Sequence, residues 1–214
     1  MWKTVLFDLD GTLTDSAPGI INSITYALAH FGIHEEPENL LKFIGPPLAE
    51  SLPECYGFSP ERTAEAIAVF REYFNEKGWC ENAPYPGVGE LLRDLKNAGL
   101  RLMVATSKPE VQAVRILKHF GLAEYFEHIC GAPHGNEDGA RKSAVIRRVL
   151  SYVEDDTTSA VMVGDRRHDV AGAREAGLPC IGVLYGYGSR EELEKAGAAF
   201  IAEDISRLKE LLLS

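Results

Sequence analysis

The sequence predicts an α/β protein, a doubly wound parallel sheet with an all-helical segment inserted after its first strand. Three observations carry this. Short apolar runs at residues 5–7, 100–105, 159–163 and 180–184 alternate with helix-length amphipathic segments, and such alternation implies crossover connections and parallel strands. The stretch from about 15 to 83 holds no convincing strand. A chain of 214 residues has room for one medium domain and one small one. The expected division is a core of residues 1–14 and 84–214 and a helical insertion of 15–83.

The elements follow from local signals. Val5-Leu6-Phe7 is a buried strand that ends in carboxylates. Asp15-Ser16 offers a helix cap and Pro18 a first-turn residue; Ile20, Ile21, Ile24 and Leu28 follow at helical spacing, and Gly32 stops the helix. Ser59-Pro60-Glu61 opens a second helix to about residue 76, with Ala64, Ile67, Ala68, Arg71 and Phe74 on one face. After Ala83-Pro84-Tyr85-Pro86-Gly87 the rhythm changes. Helices are expected at 88–98, 109–120, 141–152, 170–176, 190–196 and 205–213. Strands are expected at 100–105, 126–131, 159–163, 180–184 and 199–202.

Composition excludes several classes. Hydrophobic residues make up 45% and charged residues 25%, which is ordinary for a globular protein. The net charge of −10, with no basic block, repels nucleic acid and anionic lipid. Cys55, Cys80, Cys130 and Cys180 form no Cys-x-x-Cys pair; buried free thiols in a reducing compartment are expected. The N-terminal residues contain no apolar stretch of signal or membrane-span length. A soluble cytoplasmic protein is therefore expected, with no membrane or nucleic-acid partner. The oligomeric state is not readable from the sequence.

Ligands of an open parallel sheet bind beyond the carboxyl ends of its strands. There this sequence places Asp8-Leu9-Asp10-Gly11-Thr12-Leu13-Thr14-Asp15, then Thr106-Ser107-Lys108, then Gly164-Asp165-Arg166-Arg167-His168-Asp169, with Lys142 opening the helix before that last strand. Asp8, Asp10 and Asp165 at close range need a cation, and hard carboxylate oxygens favour Mg²⁺ shared with a phosphate. Thr106 and Lys142 are donors suited to phosphate oxygens. Gly11 lets backbone amides turn toward an anion. The sum is a metal-assisted phosphate site with a carboxylate free to attack phosphorus.

The order Asp8-x-Asp10-Gly-Thr-Leu-Thr, Thr106, Lys142 and Gly164-Asp165-x-x-x-Asp169 resembles the haloacid dehalogenase superfamily. Phe43-Ile44-Gly45-Pro46-Pro47-Leu48 and the segment Gly182 to Ser189 resemble its phosphoglycolate-phosphatase-like and 5′-nucleotidase-like branch. The resemblance implies a Rossmann-like core with a helical cap. It implies an Mg²⁺-dependent phosphatase of small phosphorylated metabolites, such as phosphoglycolate or nucleoside 5′-monophosphates, working through an aspartyl-phosphate. Asp8 would be the nucleophile and Asp10 the general acid and base. Thr106 and the backbone at Leu9 and Ser107 would hold the phosphoryl group, and Lys142 would balance its charge. Asp165 would bind the metal with Asp8 and the Asp10 carbonyl, and Asp169 would act through water or by orienting Lys142. Gly45 and Pro46 in the cap would face the substrate.

Two departures stand out. Ser143 follows Lys142 where many relatives carry Pro, and Lys108 is a rival lysine that relatives often carry outside the catalytic role. A phosphomutase would share the site and differ in the acceptor. A phospho-aspartate signalling module would place its nucleophile after a later strand and lack an insertion. A dehalogenase lacks the second acid that Asp10 supplies.

Other residues read as structural. His168 reads as a solvated loop residue, Asp169 also as a helix N-cap, and Phe43, Tyr73 and Trp79 as cap core. His30 and His34 do not share a helical face. His134, Glu137 and Asp138 read as a solvated glycine-rich loop. Gly186-Tyr187-Gly188 lacks the third glycine of a dinucleotide fingerprint, and no Gly-Lys-Ser/Thr phosphate loop is present.

Overall fold

The computed structural model describes residues 1–133, 141–153 and 157–214. His134, Glu137 and Asp138, read from the sequence as a solvated loop, lie outside the described residues. The chain forms two compact units, Met1–Thr14 with Pro84–Ser214, and Asp15–Ala83.

In the larger unit, β1 (Thr4–Phe7) is the sheet's hub. The short β2 (Thr14–Asp15) and β3 (Ala83–Pro84) pair where the chain passes between the units. The main sheet continues with β4 (Arg101–Pro109), β5 (His128–Ala132), β6 (Ala160–Gly164), β7 (Cys180–Val183) and β8 (Phe200–Ala202). Its order is β5-β4-β1-β6-β7-β8, and every pairing is parallel. The chain builds outward on one side of β1 through β4 and β5, then returns to build outward through β6. The strand order therefore reverses at β1, which makes the carboxyl ends of β1, β4 and β6 the switch point of the sheet. This is the doubly wound α/β architecture the alternation predicts.

A strand with neighbours on both edges and helices on both faces must be apolar throughout. Val5, Leu6 and Phe7 are fully buried. Leu6, Met103, Ala105 and Met162 share a core with Val145, Ile146 and Val149 of the helix Lys142–Leu150 and with Val170 and Ala173. Their sequence neighbours Val5, Val104 and Val161 are equally buried and, by the two-residue period of a strand, serve the other face.

The helical unit contains α1 (Ala17–His30), α2 (Pro37–Leu40), α3 (Leu48–Tyr56) and α4 (Pro60–Tyr73). Helix α1 buries Ile20, Ile24 and Leu28, as the spacing predicts, together with Ala27, whereas Ile21 is only half-buried. Helix α4 differs from expectation in two ways. Its buried face is Thr63, Ala66 and Val69, while Ala64 and Ala68 are exposed; with so few large apolar residues, periodicity fixes its rotation poorly. It also ends at Tyr73 and passes into a wide π-turn, Phe74–Gly78. That turn brings Gly78 against α1, where a Cβ on Gly19 would lie 1.9 Å from the Gly78 carbonyl oxygen. Phe43 is buried, stacking on Tyr56 at 6.0 Å, whereas Tyr73 and Trp79 are only half-buried. His30 Nε2 meets Glu65 Oε1 at 2.9 Å on the surface.

The core helices are α5 (Val88–Asn97), α6 (Glu110–His119), α7 (Lys142–Leu150), α8 (Arg167–Glu175), α9 (Arg190–Ala196) and α10 (Ile205–Leu213). Helix α8 starts three residues before the expected position. Among the described residues, no helix is long and apolar enough to cross a membrane.

The expectation of buried thiols holds for Cys130 and Cys180; Cys55 is half-buried and Cys80 exposed, just beyond the π-turn. Burial pushes the Cys130 and Cys180 thiols up from their ordinary value, which removes the reactive thiolate. Iodoacetamide at neutral pH, followed by peptide mass spectrometry, should modify Cys80 first. Cys130 and Cys180 should remain unmodified until denaturant unfolds the chain.

Candidate active site

The site grows from the end of β1. The chain leaves the strand at Asp8 and folds into a tight turn, where the Leu9 carbonyl accepts from the amides of Thr12, Leu13 and Thr14. Gly11 donates to the Thr14 carbonyl at 2.8 Å and has φ 81°. A Cβ at Gly11 would lie 2.2 Å from Asp165 Oδ2. This position therefore requires glycine twice, for its backbone angle and for its contact. The turn leaves Asp8 and Asp10 buried at the sheet edge, 5% and 8% exposed.

Three more segments supply the remaining groups. Thr106 lies on β4 and is buried. Lys142 is the first residue of α7. Asp165 directly follows β6, and Asp169 sits in the first turn of α8. Asp169 is not the N-cap of that helix, as the sequence suggests. Arg166 holds the cap position, and its amide donates to Asp169 Oδ2 at 3.0 Å. The early start of α8 also puts His168 in a helical first turn, half-buried, where burial and the Arg167 charge lower its pKa; it is not a loop residue.

The Lys142 ammonium lies 2.8 Å from Asp8 Oδ1 and 2.8 Å from Asp169 Oδ1, and donates to the Ala105 carbonyl at 3.2 Å. Burial disfavours its charge, but the Asp169 and Asp8 carboxylates outweigh that and hold its pKa above the ordinary lysine range. Oxygens of Asp8, Asp165 and Asp169 lie within 4.8 Å of one another. Burial raises the Asp8 carboxyl to about 6, with Lys142 opposing and the Asp169 and Asp10 charges adding to the rise. Asp165, fully buried, is pushed well above the carboxylate range by burial and by the charges of Asp169 and Asp8. Three buried carboxylates, two of them paired with Lys142 and the third, Asp165, held by the Thr12 hydroxyl and the Tyr187 amide, carry more negative charge than one ammonium neutralises. Such a donor set fits a small divalent cation.

Asp10 stands apart. Its carboxylate is outside the three-carboxylate group and is gripped by Lys108, whose Nζ lies 2.9 Å from Oδ2 and 3.1 Å from Oδ1. Leu9 donates its amide to Asp8 Oδ1 at 2.8 Å. Ser107 is half-buried beside Thr106. Gly45 and Pro46 belong to the helical unit, where Gly45 has φ 103° and the segment leads into α3.

Sequence reasoning missed three contributors. Lys108 was visible, but nothing in its spacing ties it to Asp10, 98 positions away. Thr12 donates its hydroxyl to Asp165 Oδ1 at 3.3 Å. The amide of Tyr187 donates to Asp165 Oδ2 at 2.8 Å. The glycines around Tyr187 permit that approach, since a Cβ at Gly188 would sit 1.9 Å from the Asp165 carbonyl oxygen. The Gly-x-Gly pattern was thus a packing signal for Asp165.

A doubly wound core with aspartates after its first strand, a threonine and a lysine on neighbouring elements, and an acidic pair opposite defines a class of hydrolases. The chain belongs to the haloacid dehalogenase-like hydrolase family, whose model matches residues 5–183. It is 42% identical to a 5′-nucleotidase of Pseudomonas aeruginosa, over 100% of this chain and 96% of the relative. It is also 42% identical to the tyrosine-protein kinase PtkA of Mycobacterium tuberculosis, over 98% of this chain and 72% of the relative. Among solved structures, it resembles one described as a predicted phosphatase from Clostridium acetobutylicum. That match has a TM-score of 0.96 and 46% identity, and covers 100% of this chain and 99% of the other.

Two outcomes follow from this geometry. Gly11→Ala should destabilise the fold by at least about 1–3 kcal/mol and displace Asp165, which thermal unfolding would register. The second concerns pH. Asp8 binds its proton more tightly folded, at about 6, than its ordinary 3.8. Between those values the native state holds more protons than the unfolded state, so this group's contribution to stability falls as pH rises. In chelator, Asp8→Asn should therefore stabilise the protein above pH 6, by on the order of 1–3 kcal/mol. The gain should vanish near pH 4. Urea unfolding across that range measures it.

Proposed function

We propose that the protein is a phosphatase of small phosphate monoesters that works through an aspartyl-phosphate on Asp8. The observation that carries this reading is the separation of two aspartates two residues apart. Asp8 is paired with Lys142 at the acidic group, while Asp10 is held outside it by Lys108. One carboxylate can then attack while the other handles protons.

In this reading an oxygen of Asp8 forms the bond to phosphorus as the ester oxygen leaves, and Asp10 gives that oxygen its proton. Asp10, now ionised, takes a proton from the water that attacks phosphorus and frees Asp8. Thr106 and the Ser107 backbone would bind phosphoryl oxygens. Lys142 keeps Asp8 ionised and offsets its repulsion from the phosphate. Asp8, Asp165, Asp169 and the main chain of Asp10 would hold Mg²⁺. When bound, it supplies the positive charge that lets those carboxylates and the phosphate coexist. The helical unit would act as a cap that sets specificity, with Gly45 and Pro46 meeting the substrate. The small-metabolite substrate and a cytoplasmic location, without nucleic-acid or membrane partners, belong to the same proposal.

The name of the kinase relative favours one competing outcome, transfer of the phosphoryl group to a tyrosine in place of water. A phosphomutase would pass it to a sugar hydroxyl. The acceptor distinguishes them. Incubation with Mg²⁺ and a panel of phosphate monoesters should release inorganic phosphate from nucleoside 5′-monophosphates or phosphoglycolate. ATP with a tyrosine-containing polymer should leave the polymer unlabelled.

Acid quench during turnover should trap a hydroxylamine-sensitive phosphate on the Asp8 peptide. Asp8→Asn should abolish both trapping and turnover, and excess chelator should abolish turnover. An active Asp8→Asn enzyme would end the covalent reading. Pro46→Ala should change the ranking of substrates by kcat/KM, by roughly 10-fold, without altering the rate at which the trapped phosphate is lost.

A further inference from the structure

We propose that Lys108 is a positioning residue for the reaction, fixing the Asp10 carboxylate outside the acidic group in the one orientation from which it exchanges protons with the leaving oxygen and with water. The inference rests on the phosphatase reading above and gives a function to a lysine that the family resemblance leaves outside the catalytic role.

A lysine at a strand end normally trails into solvent. The Lys108 side chain is only 6% exposed and the Asp10 side chain 10%. Its ammonium reaches both carboxylate oxygens of Asp10, at 2.9 and 3.1 Å. A grip on both oxygens fixes the rotation of the carboxyl group as well as its place.

The backbone beneath this lysine is irregular. Pairing of β4 with β5 is regular to Ala105 and resumes, shifted, at Pro109. Such an irregularity re-aims the side chains it carries, and bulges of this kind recur beside active sites. Here it holds Thr106 and Lys108, and the Lys108 amide donates to Thr106 Oγ1 at 3.2 Å. The segment is braced from β5. A Cβ on Gly131 would lie 2.4 Å from the Lys108 carbonyl oxygen, so the two backbones are in direct contact. The Gly131 amide in turn donates to the Glu110 carboxylate at 3.2 Å.

The chemistry explains why a second lysine is needed. Lys142 is already engaged by Asp8, Asp169 and the Ala105 carbonyl. Asp10 is only two residues from Asp8. Lys108 gives Asp10 its own counter-charge outside the three-carboxylate group, which sets the proton-transfer group apart from the phosphoryl acceptor. Displacement of a catalytic group by about 1 Å can cost on the order of 100-fold in rate.

The test separates proton transfer from the rest of the chemistry through the leaving group. Rapid quench follows alcohol release from a nucleoside 5′-monophosphate, which needs a proton, and from p-nitrophenyl phosphate, which scarcely does. Four proteins are compared: wild type, Asp10→Asn, Lys108→Met and the double variant. Lys108→Met should slow nucleoside release by about 10- to 100-fold and p-nitrophenol release by less than about threefold. The double variant should be no slower than Asp10→Asn alone, because the lysine acts through the aspartate.

Equal slowing with both substrates, or losses that multiply in the double variant, would overturn the inference while leaving the phosphatase reading intact. If Asp10→Asn released the nucleoside as fast as wild type, the acid and base role itself would fall, and this inference with it. Should Lys108→Met fail to fold, Lys108→Arg, which keeps the charge and moves the donor atoms, is read in the same cycle.

Discussion

The Lys142 ammonium, set 2.8 Å from Asp8 and 2.8 Å from Asp169, is the contact on which the rest of the site depends. Each of its partners comes from a different part of the core. Asp8 ends the central strand, Lys142 opens α7, and Asp169 lies in the first turn of α8. The ammonium is buried with them. A buried ammonium of this kind stands only where a carboxylate meets it, since the loss of both its partners would strand the charge in a dry site. The sheet and the two helices must therefore come together in one register for the site to exist at all.

Close packing enforces that register. A Cβ on Gly172 of α8 would meet the Lys142 side chain at 2.7 Å, and one on Gly164 would meet the Asp169 carboxyl carbon at 2.3 Å. Gly11 and Gly188 press on Asp165 in the same way. These glycines let backbone come close enough to wall in the carboxylates, and their lack of side chains concentrates the unneutralised charge. Burial then raises Asp8 and Asp165 from their ordinary values. A carboxylate group in this condition suits a cation, which is the electrostatic premise of the proposed phosphoryl chemistry.

Much of this was legible in the sequence. The alternation of apolar runs and amphipathic helices gave the doubly wound sheet, and the helices at 190–196 and 205–213 appear at their expected residues. The rule that ligands gather beyond strand ends points to Asp8, Asp10, Thr106 and Asp165, and the structure brings Lys142 and Asp169 to Asp8 and Asp165. The weaker readings share a cause. Helix α4 has few large apolar residues, so its buried face could not be read from spacing. Helix α8 opens on Arg167-His168-Asp169, polar residues that conceal a helical first turn.

What the sequence by itself determined is the order of elements and the carboxylates that follow β1 and β6, because both are written in local patterns: strand-length apolar runs, helix-length amphipathic segments, and polar residues placed directly after strands. What only the tertiary structure decided is which charge answers which. Lys108 and Lys142 are chemically alike; the first lies at the end of β4 and the second opens α7. Chain separation gives no hint that the first serves Asp10 while the second joins Asp8 to Asp169. That partition depends on an irregular β4 edge, on the start of α7 and on the close approach of β5. Pairing between charges falls off over a few ångströms, and distances of that size are set by packing between segments far apart in the chain.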